Sequence, residues 1–241
     1  MYKNFKKVSF WAENKLGIIA MDNGNSNVMD AEMLSEMLGA LSIAMTDNSI
    51  NAVVITGTKR TYSTGLDICE KRFENPDDIK RLLSLGHTIA TTVLSMPKIV
   101  VSLINGNSVD AGFELALLGD IIISKNNALA GFPGLWYGMP HFIATPSLLS
   151  AIYGKKRYYG FLSKKIFKIE EQNIADFIID SENFMNEAKR IILELPYNQS
   201  IFKGEVFNNL RLSMDFERYD NVAIHSKPDC ISLKNFITNK G

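Results

Sequence analysis

Apolar positions along this chain alternate between two periods. Residues 8–11 and 16–21 are short apolar runs separated by Glu13-Asn14-Lys15, which predicts a β-hairpin. Asp22 to Asn27 is an Asn- and Gly-rich turn cluster. Met33, Leu34, Met37, Leu38, Leu41, Ala44 and Met45 then recur at helical spacing behind Asp30, a fitting N-cap. Residues 52–56 are β-branched and apolar, as in a buried strand, and residues 57–65 read as a polar loop. A second helix is predicted from Asn75-Pro76-Asp77-Asp78, with Ile79, Leu82, Leu83, Ile89, Ala90, Val93 and Leu94 on its buried face and Pro97 at its end. Residues 99–104 are apolar throughout, the pattern of a parallel strand covered on both faces. A helix carrying Glu114 follows, then a strand at 121–124. This strand–helix alternation predicts an α/β fold of right-handed crossover units. Beyond Pro146 the pattern turns helical, with helices expected at 148–153, 158–163, 170–178, 185–195 and 199–210. The break at Leu195-Pro196-Tyr197 suggests a core over 1–190 and a helical C-terminal region over 191–241.

Composition narrows the function classes. Lys+Arg and Asp+Glu both number 26 in 241 residues, so no basic excess points to nucleic acid. The clusters Lys155-Lys156-Arg157 and Lys164-Lys165 read as solvated surface. Two cysteines, Cys69 and Cys230, make neither a disulfide framework nor a metal cluster, and fit a reducing cytoplasm. Met1 to Lys7 lacks the apolar stretch of a signal peptide, and no apolar run is long enough to span a bilayer. No phosphate-cradling glycine motif or metal-ligand spacing is present, so no redox cofactor or metal is expected.

Two segments carry the chemistry. One runs from Asn105-Gly106 through Asp110-Ala111-Gly112-Phe113-Glu114 and joins a buried strand to a helix. The other, Gly57 to Ile68, repeats that geometry after the preceding strand. Ligands of open α/β sheets bind beyond the carboxyl ends of strands. There, two strand–loop–helix units side by side would present unpaired backbone N–H groups to a developing oxyanion. Glu114, in the first turns of its helix, would then be placed to move a proton; the alternatives are ordinary tight turns and a carboxylate favoured by the helix dipole.

The chain resembles the crotonase family, the enoyl-CoA hydratase/isomerase superfamily, along most of its length. Tyr62-Ser63-Thr64-Gly65-Leu66-Asp67-Ile68, Pro97-Lys98 through Gly106, and Ala111-Gly112-Phe113-Glu114-Leu115-Ala116-Leu117 with Asp120-Ile121 look like three successive family segments. Lys164-Lys165-Ile166 and Glu170-Glu171 through Ile178 resemble a fourth. The resemblance implies a spiral of ββα units, a C-terminal helical trimerisation region, an acyl-CoA thioester substrate and assembly as a homotrimer or hexamer. It implies an oxyanion hole made by the backbone N–H groups of Leu66 and Ala111, a CoA-binding loop of Ser63, Thr64, Gly65 and Asp67, and a catalytic Glu114. Asp67 is expected to brace its own loop. Lys98, Lys155 and Lys156 are the cations available to CoA phosphates.

The pattern breaks at one place. Family hydratases carry a second glutamate in a G-x-P-E segment, and here that segment reads Gly131-Phe132-Pro133-Gly134. Glycine transfers no proton, and adding water across a double bond needs one group to activate water and one to deliver a proton. Tyr137, Asp110 and His141 are the candidates for a second group. Asp110 stands where the family has glycine, and is read first as a cap of the Glu114 helix. Tyr62, in place of the usual Phe, is read as packing. Three functions stay open: hydratase-type chemistry through a thioester enolate, a CoA-thioester-binding protein with impaired or different chemistry (isomerase, thioester hydrolase, decarboxylase or non-catalytic subunit), and an activity on a ligand without CoA.

Overall fold

The computed structural model describes residues 5–66, 75–197, 200–211, 214–224 and 229–238. Asp67, Ile68 and Cys69 lie outside the described residues.

The expected hairpin is formed by β1 (Val8–Glu13) and β2 (Leu16–Met21), antiparallel with Glu13 opposite Leu16. Asn14 and Lys15 both take positive φ, 49° and 65°, as a two-residue hairpin turn of the type that matches strand twist requires. Helix α1 (Ala31–Thr46) begins where Asp30 accepts from Met33 N–H at 2.9 Å. β3 (Ala52–Gly57) follows. The stretch read as a polar loop holds a short strand, β4 (Thr61–Ser63), so that expectation is corrected. Helix α2 (Pro76–Ser95) starts behind Asn75, whose side chain accepts from Asp77 N–H. Next come β5 (Ile99–Ile104), β6 (Asn107–Val109), α3 (Ala111–Leu117), β7 (Ile121–Lys125) and β8 (Leu129–Gly131).

The strands form two sheets, one of order β1-β2-β3-β5-β7-β10 and one that contains β4-β6-β8 in that order. Each successive unit gives its first strand to the larger sheet and its second to the smaller, and then turns into a helix: β3-β4-α2, then β5-β6-α3. This is the ββα spiral. Both sheets therefore advance together, and every strand–loop–helix turn opens at the same end.

The larger sheet is covered on both faces, which is why β2, β3 and β5 are buried at every position. Ile19, Met21, Val53, Ile55 and Val100 face α1, α2 and α3, while Ile18, Val54, Val101, Leu103 and Ile123 belong to a second core closed by Phe184, Ala188 and Ile192 of α6 (Phe184–Leu193).

After β8 come a 3₁₀ turn (Pro133–Tyr137), α4 (Pro146–Tyr153), α5 (Lys155–Leu162) and β9 (Phe167–Lys168), the fourth strand of the smaller sheet. The single helix expected over 170–178 is not formed. A 3₁₀ turn (Ile169–Gln172) ends at Asn173 in left-handed conformation, and β10 (Phe177–Ile179) adds to the edge of the larger sheet in parallel with β7. Pairing with that edge outweighs a weak local helical period. Helices α7 (Ser200–Leu210), α8 (Phe216–Ala223) and α9 (Cys230–Thr238) follow. Phe207, Leu210, Phe216 and Tyr219 pack them on the chain's own main core. Among the described residues no helix is long and apolar enough to cross a membrane.

Candidate active site

The two predicted loops meet. Gly65 has φ +80°, a conformation that L side chains rarely adopt, and a Cβ there would lie 3.0 Å from Ala111 N. The β4 loop can therefore run against the start of α3 only with glycine at 65. Neither Leu66 N–H nor Ala111 N–H donates a hydrogen bond to any described residue. Around them the backbone is well paired: Met29 N–H donates to Gly65 O at 2.8 Å, and Asp110 N–H to Gly131 O at 2.9 Å. Ser63 and Thr64 turn inward. The Ser63 hydroxyl donates to Asn27 O and accepts from Gly65 N–H, and both the amide and the hydroxyl of Thr64 donate to Ser26 O. The outward face of this loop is thus backbone rather than side chain.

Glu114 is 2% exposed and both its oxygens are occupied. Oε2 accepts from three successive backbone amides, Phe142 at 2.9 Å, Ile143 at 2.6 Å and Ala144 at 3.0 Å. Oε1 meets His141 Nδ1 at 2.9 Å. In the tautomer with a proton on Nδ1 toward Glu114, Nε2 accepts the Tyr158 hydroxyl, 2.9 Å away. His141 N–H in turn donates to the Tyr219 hydroxyl at 2.7 Å. Burial raises both tyrosines above the ordinary phenol range, and the nearby Glu114 charge adds to the shift. This concave run of amides is an anion nest. Gly86 lets α2 close against it: a Cβ there would lie 2.0 Å from Phe142 O.

Asp110 corrects its sequence reading. It stands at the N-cap position of α3 but makes no side-chain cap bond. Its Oδ1 accepts instead from Gly134 N–H at 2.8 Å. Burial pushes its carboxyl up to about 8; the Gly134 N–H opposes this and the Glu114 charge adds to it. A Cβ on Gly134 would lie 2.9 Å from Asp110 Oδ1 and 2.9 Å from Met139 Sδ, so the place of a side chain at 134 is already taken.

The other candidates are placed as follows. Tyr137 accepts from Lys165 Nζ at 2.9 Å and shares that ammonium with the rings of Trp136 and Phe236, so its hydroxyl is engaged in a surface cluster. Tyr62 is fully buried, as packing requires. Lys98 does not reach outward: its Nζ donates to Ala44 O and, at 2.6 Å, to Asp47 O, closing the end of α1. Lys156 lines a cleft of about 450 Å³ with Arg157, Gln172 and Phe161. A second cleft of about 320 Å³ lies between α2 and α8 and is lined by His87, Phe216 and Asp220 among others. Neither cleft includes Leu66 or Ala111. Tyr158, Tyr219 and the 142–144 amides were not singled out from the sequence. They join Glu114 from 28 to 30 positions away for the amides, and nothing in local pattern marks them. Among the described residues no three His, Cys, Asp or Glu side chains are grouped to hold a metal ion.

Comparison with known proteins agrees with this architecture. The family described as enoyl-CoA hydratase/isomerase matches residues 12–171. A "Probable enoyl-CoA hydratase, mitochondrial" of Dictyostelium discoideum is 24% identical over 198 residues, covering 79% of this chain and 70% of that one. The short-chain-enoyl-CoA hydratase of Clostridium acetobutylicum is 25% identical over 195 residues, 78% of this chain and 75% of its own. The crystal structure of an enoyl-CoA hydratase/isomerase from Xanthobacter autotrophicus Py2 superposes with a TM-score of 0.82 at 21% identity, over 99% of this chain and 95% of that one, and so shares the crotonase fold. The match extends over well more than half of the chain, which therefore belongs to the enoyl-CoA hydratase/isomerase family.

Proposed function

We propose that this protein binds an acyl-CoA thioester with its carbonyl oxygen on the Leu66 and Ala111 N–H groups, and that its reaction passes through the thioester enolate these donors stabilise. The observation that carries this reading is a pair of amides on two abutting loops that donate to no described residue. Donors held rigidly where negative charge develops stabilise the transition state more than the ground state, because they need no reorganisation as the charge forms. Both are backbone groups, so leucine at 66 and alanine at 111 suit the role as well as any residue.

Hydration of a short 2-enoyl-CoA is the first reaction to assay; double-bond shift, thioester hydrolysis and decarboxylation use the same oxyanion. A second reading, thioester binding without efficient hydration, is favoured by the closed environment of Glu114, whose two oxygens already accept from four donors. A homotrimer or hexamer in the cytoplasm completes the proposal, and light scattering tests the assembly. The substitution Ala111→Pro removes one donor at a first helical position, where proline is well tolerated. It is expected to lower turnover by about 10²- to 10³-fold while crotonyl-CoA binding, followed by calorimetry, persists. Wild-type protein that fails to bind crotonyl-CoA, or an Ala111→Pro variant that turns over like wild type, overturns the reading.

A further inference from the structure

Two carboxylates stand at the start of α3, and they are in opposite situations. Glu114 is buried with both oxygens occupied. Asp110 is half-buried; its Oδ1 takes one backbone N–H, and its Oδ2 takes no hydrogen bond from any described residue. Asp110 directly precedes Ala111, whose N–H donates to no described residue, and its Cβ lies 3.2 Å from where a Cβ of Gly65 would be, beside Leu66. Its carboxyl fills the space above Gly134. The backbone at Asp110 has φ 48° and ψ −128°, outside the left-handed helical basin that other positive-φ residues such as Asn173 use. A side chain kept in a conformation natural only to glycine invites a functional reason.

We propose that Asp110 is the catalytic proton carrier of this site, supplying from the α3 loop the carboxyl that glycine at 134 cannot supply. The inference rests on the acyl-thioester reading above. With a 3-enoyl thioester, the Asp110 carboxylate takes a proton from the carbon α to the carbonyl. The C–H pair forms a π bond between the α carbon and the carbonyl carbon, the carbonyl π pair moves to oxygen, and the dienolate, with its β–γ double bond intact, is held by the two N–H groups. As the carbonyl re-forms, the proton returns from the Asp110 carboxyl to the γ carbon and the double bond ends between α and β. Atoms and electrons balance without a co-reactant. One group does both transfers, so α-proton exchange and double-bond shift are within its reach, whereas adding water requires a second group, and Glu114 is buried with four donors already on its oxygens.

The test follows loss of deuterium from α-deuterated butyryl-CoA, and conversion of 3-hexenoyl-CoA, with wild type and the variants Asp110→Asn, Asp110→Gly and Asp110→Gly/Gly134→Glu. Crotonyl-CoA binding by calorimetry runs in parallel. Asp110→Asn and Asp110→Gly are expected to bind the thioester and lose at least about 100-fold in both reactions. The double variant, with the Asp110 contact at 134 removed, only the flexible Met139 thioether left to shift, and a carboxyl restored from the neighbouring turn, is expected to regain at least a tenth of wild-type rate. Wild type that binds crotonyl-CoA but catalyses neither reaction overturns the assignment, as does Asp110→Asn working within threefold of wild type. Wild type that binds no thioester overturns the site reading itself. A double variant that folds, binds and stays inactive limits the carboxyl to its present attachment and rejects the equivalence with position 134.

Discussion

At Asp110 the backbone is held against its own preference. The carboxyl oxygen on Gly134 N–H and the close pass of Gly65 keep a β-carbon where only glycine sits without strain. Asp110→Gly relieves a conformation that costs ~1–3 kcal/mol. Its thermal midpoint, measured by calorimetry, is therefore expected to rise by about 2–4 °C per kcal/mol relieved, although the variant loses the carboxyl. The pH dependence follows from the raised carboxyl. An aspartate in the unfolded chain ionises near ~4, while burial raises the midpoint of Asp110 to about 8, which leaves a minority of the carboxyl ionised, and able to take a proton, at neutral pH. Its stabilising contribution is then complete below pH ~4 and is lost as pH rises toward 8. Across that window the urea midpoint of wild type is expected to fall relative to that of Asp110→Asn; a pH-independent difference would contradict the burial of this group. Glu114 is a different case. Three backbone amides and an imidazole lose their acceptor in Glu114→Ala, and each such buried donor left unpaired costs ~1–3 kcal/mol. Urea denaturation is expected to show a loss of at least ~3 kcal/mol. Sequence reasoning singled out both acids, because the resemblance expects glycine at 110 and the helix start at 114 is a local feature. It misread the bond Asp110 makes, because the direction of that side chain depends on a φ that no neighbouring residue dictates.

Elements were legible where one face was clearly apolar. Asp30 and Asn75 cap α1 and α2 as expected, since the capping oxygen lies within three residues of the amide it serves. The 170–178 stretch was not legible as strand, because its three-residue pairing with β7 depends on a partner more than 50 positions earlier. Lys98 shows the same limit. It looked available to a phosphate, yet it spans 54 positions to the last carbonyls of α1. Lysine placed there completes orphan acceptors at a helix end. Lys98→Ala is accordingly expected to cost ~1–2 kcal/mol of stability in urea, and to leave the Kd for crotonyl-CoA, read by calorimetry, unchanged.

Over the whole molecule, the C-terminal helices and the candidate site are one structure. The Tyr219 hydroxyl of α8 accepts from His141 N–H, and the His141 imidazole holds Glu114. Tyr219→Phe leaves a buried amide without its acceptor, so hydrogen exchange at His141 should accelerate by about tenfold or more, a 1.4 kcal/mol change being a factor of ten. Exchange at the 52–56 strand should stay as in wild type. A division at 190 separates the chain in sequence more sharply than in space, since the last helices finish the core that the spiral begins. What the sequence alone determined is the order of strands and helices, the apolar faces and the two small-residue loops, because periodicity and turn chemistry are written over a few neighbouring residues. Only the tertiary structure decided which acid is enclosed and which keeps an oxygen free, because those partners come from loops 24 to 30 positions away and are selected by how the two sheets bring the loops together.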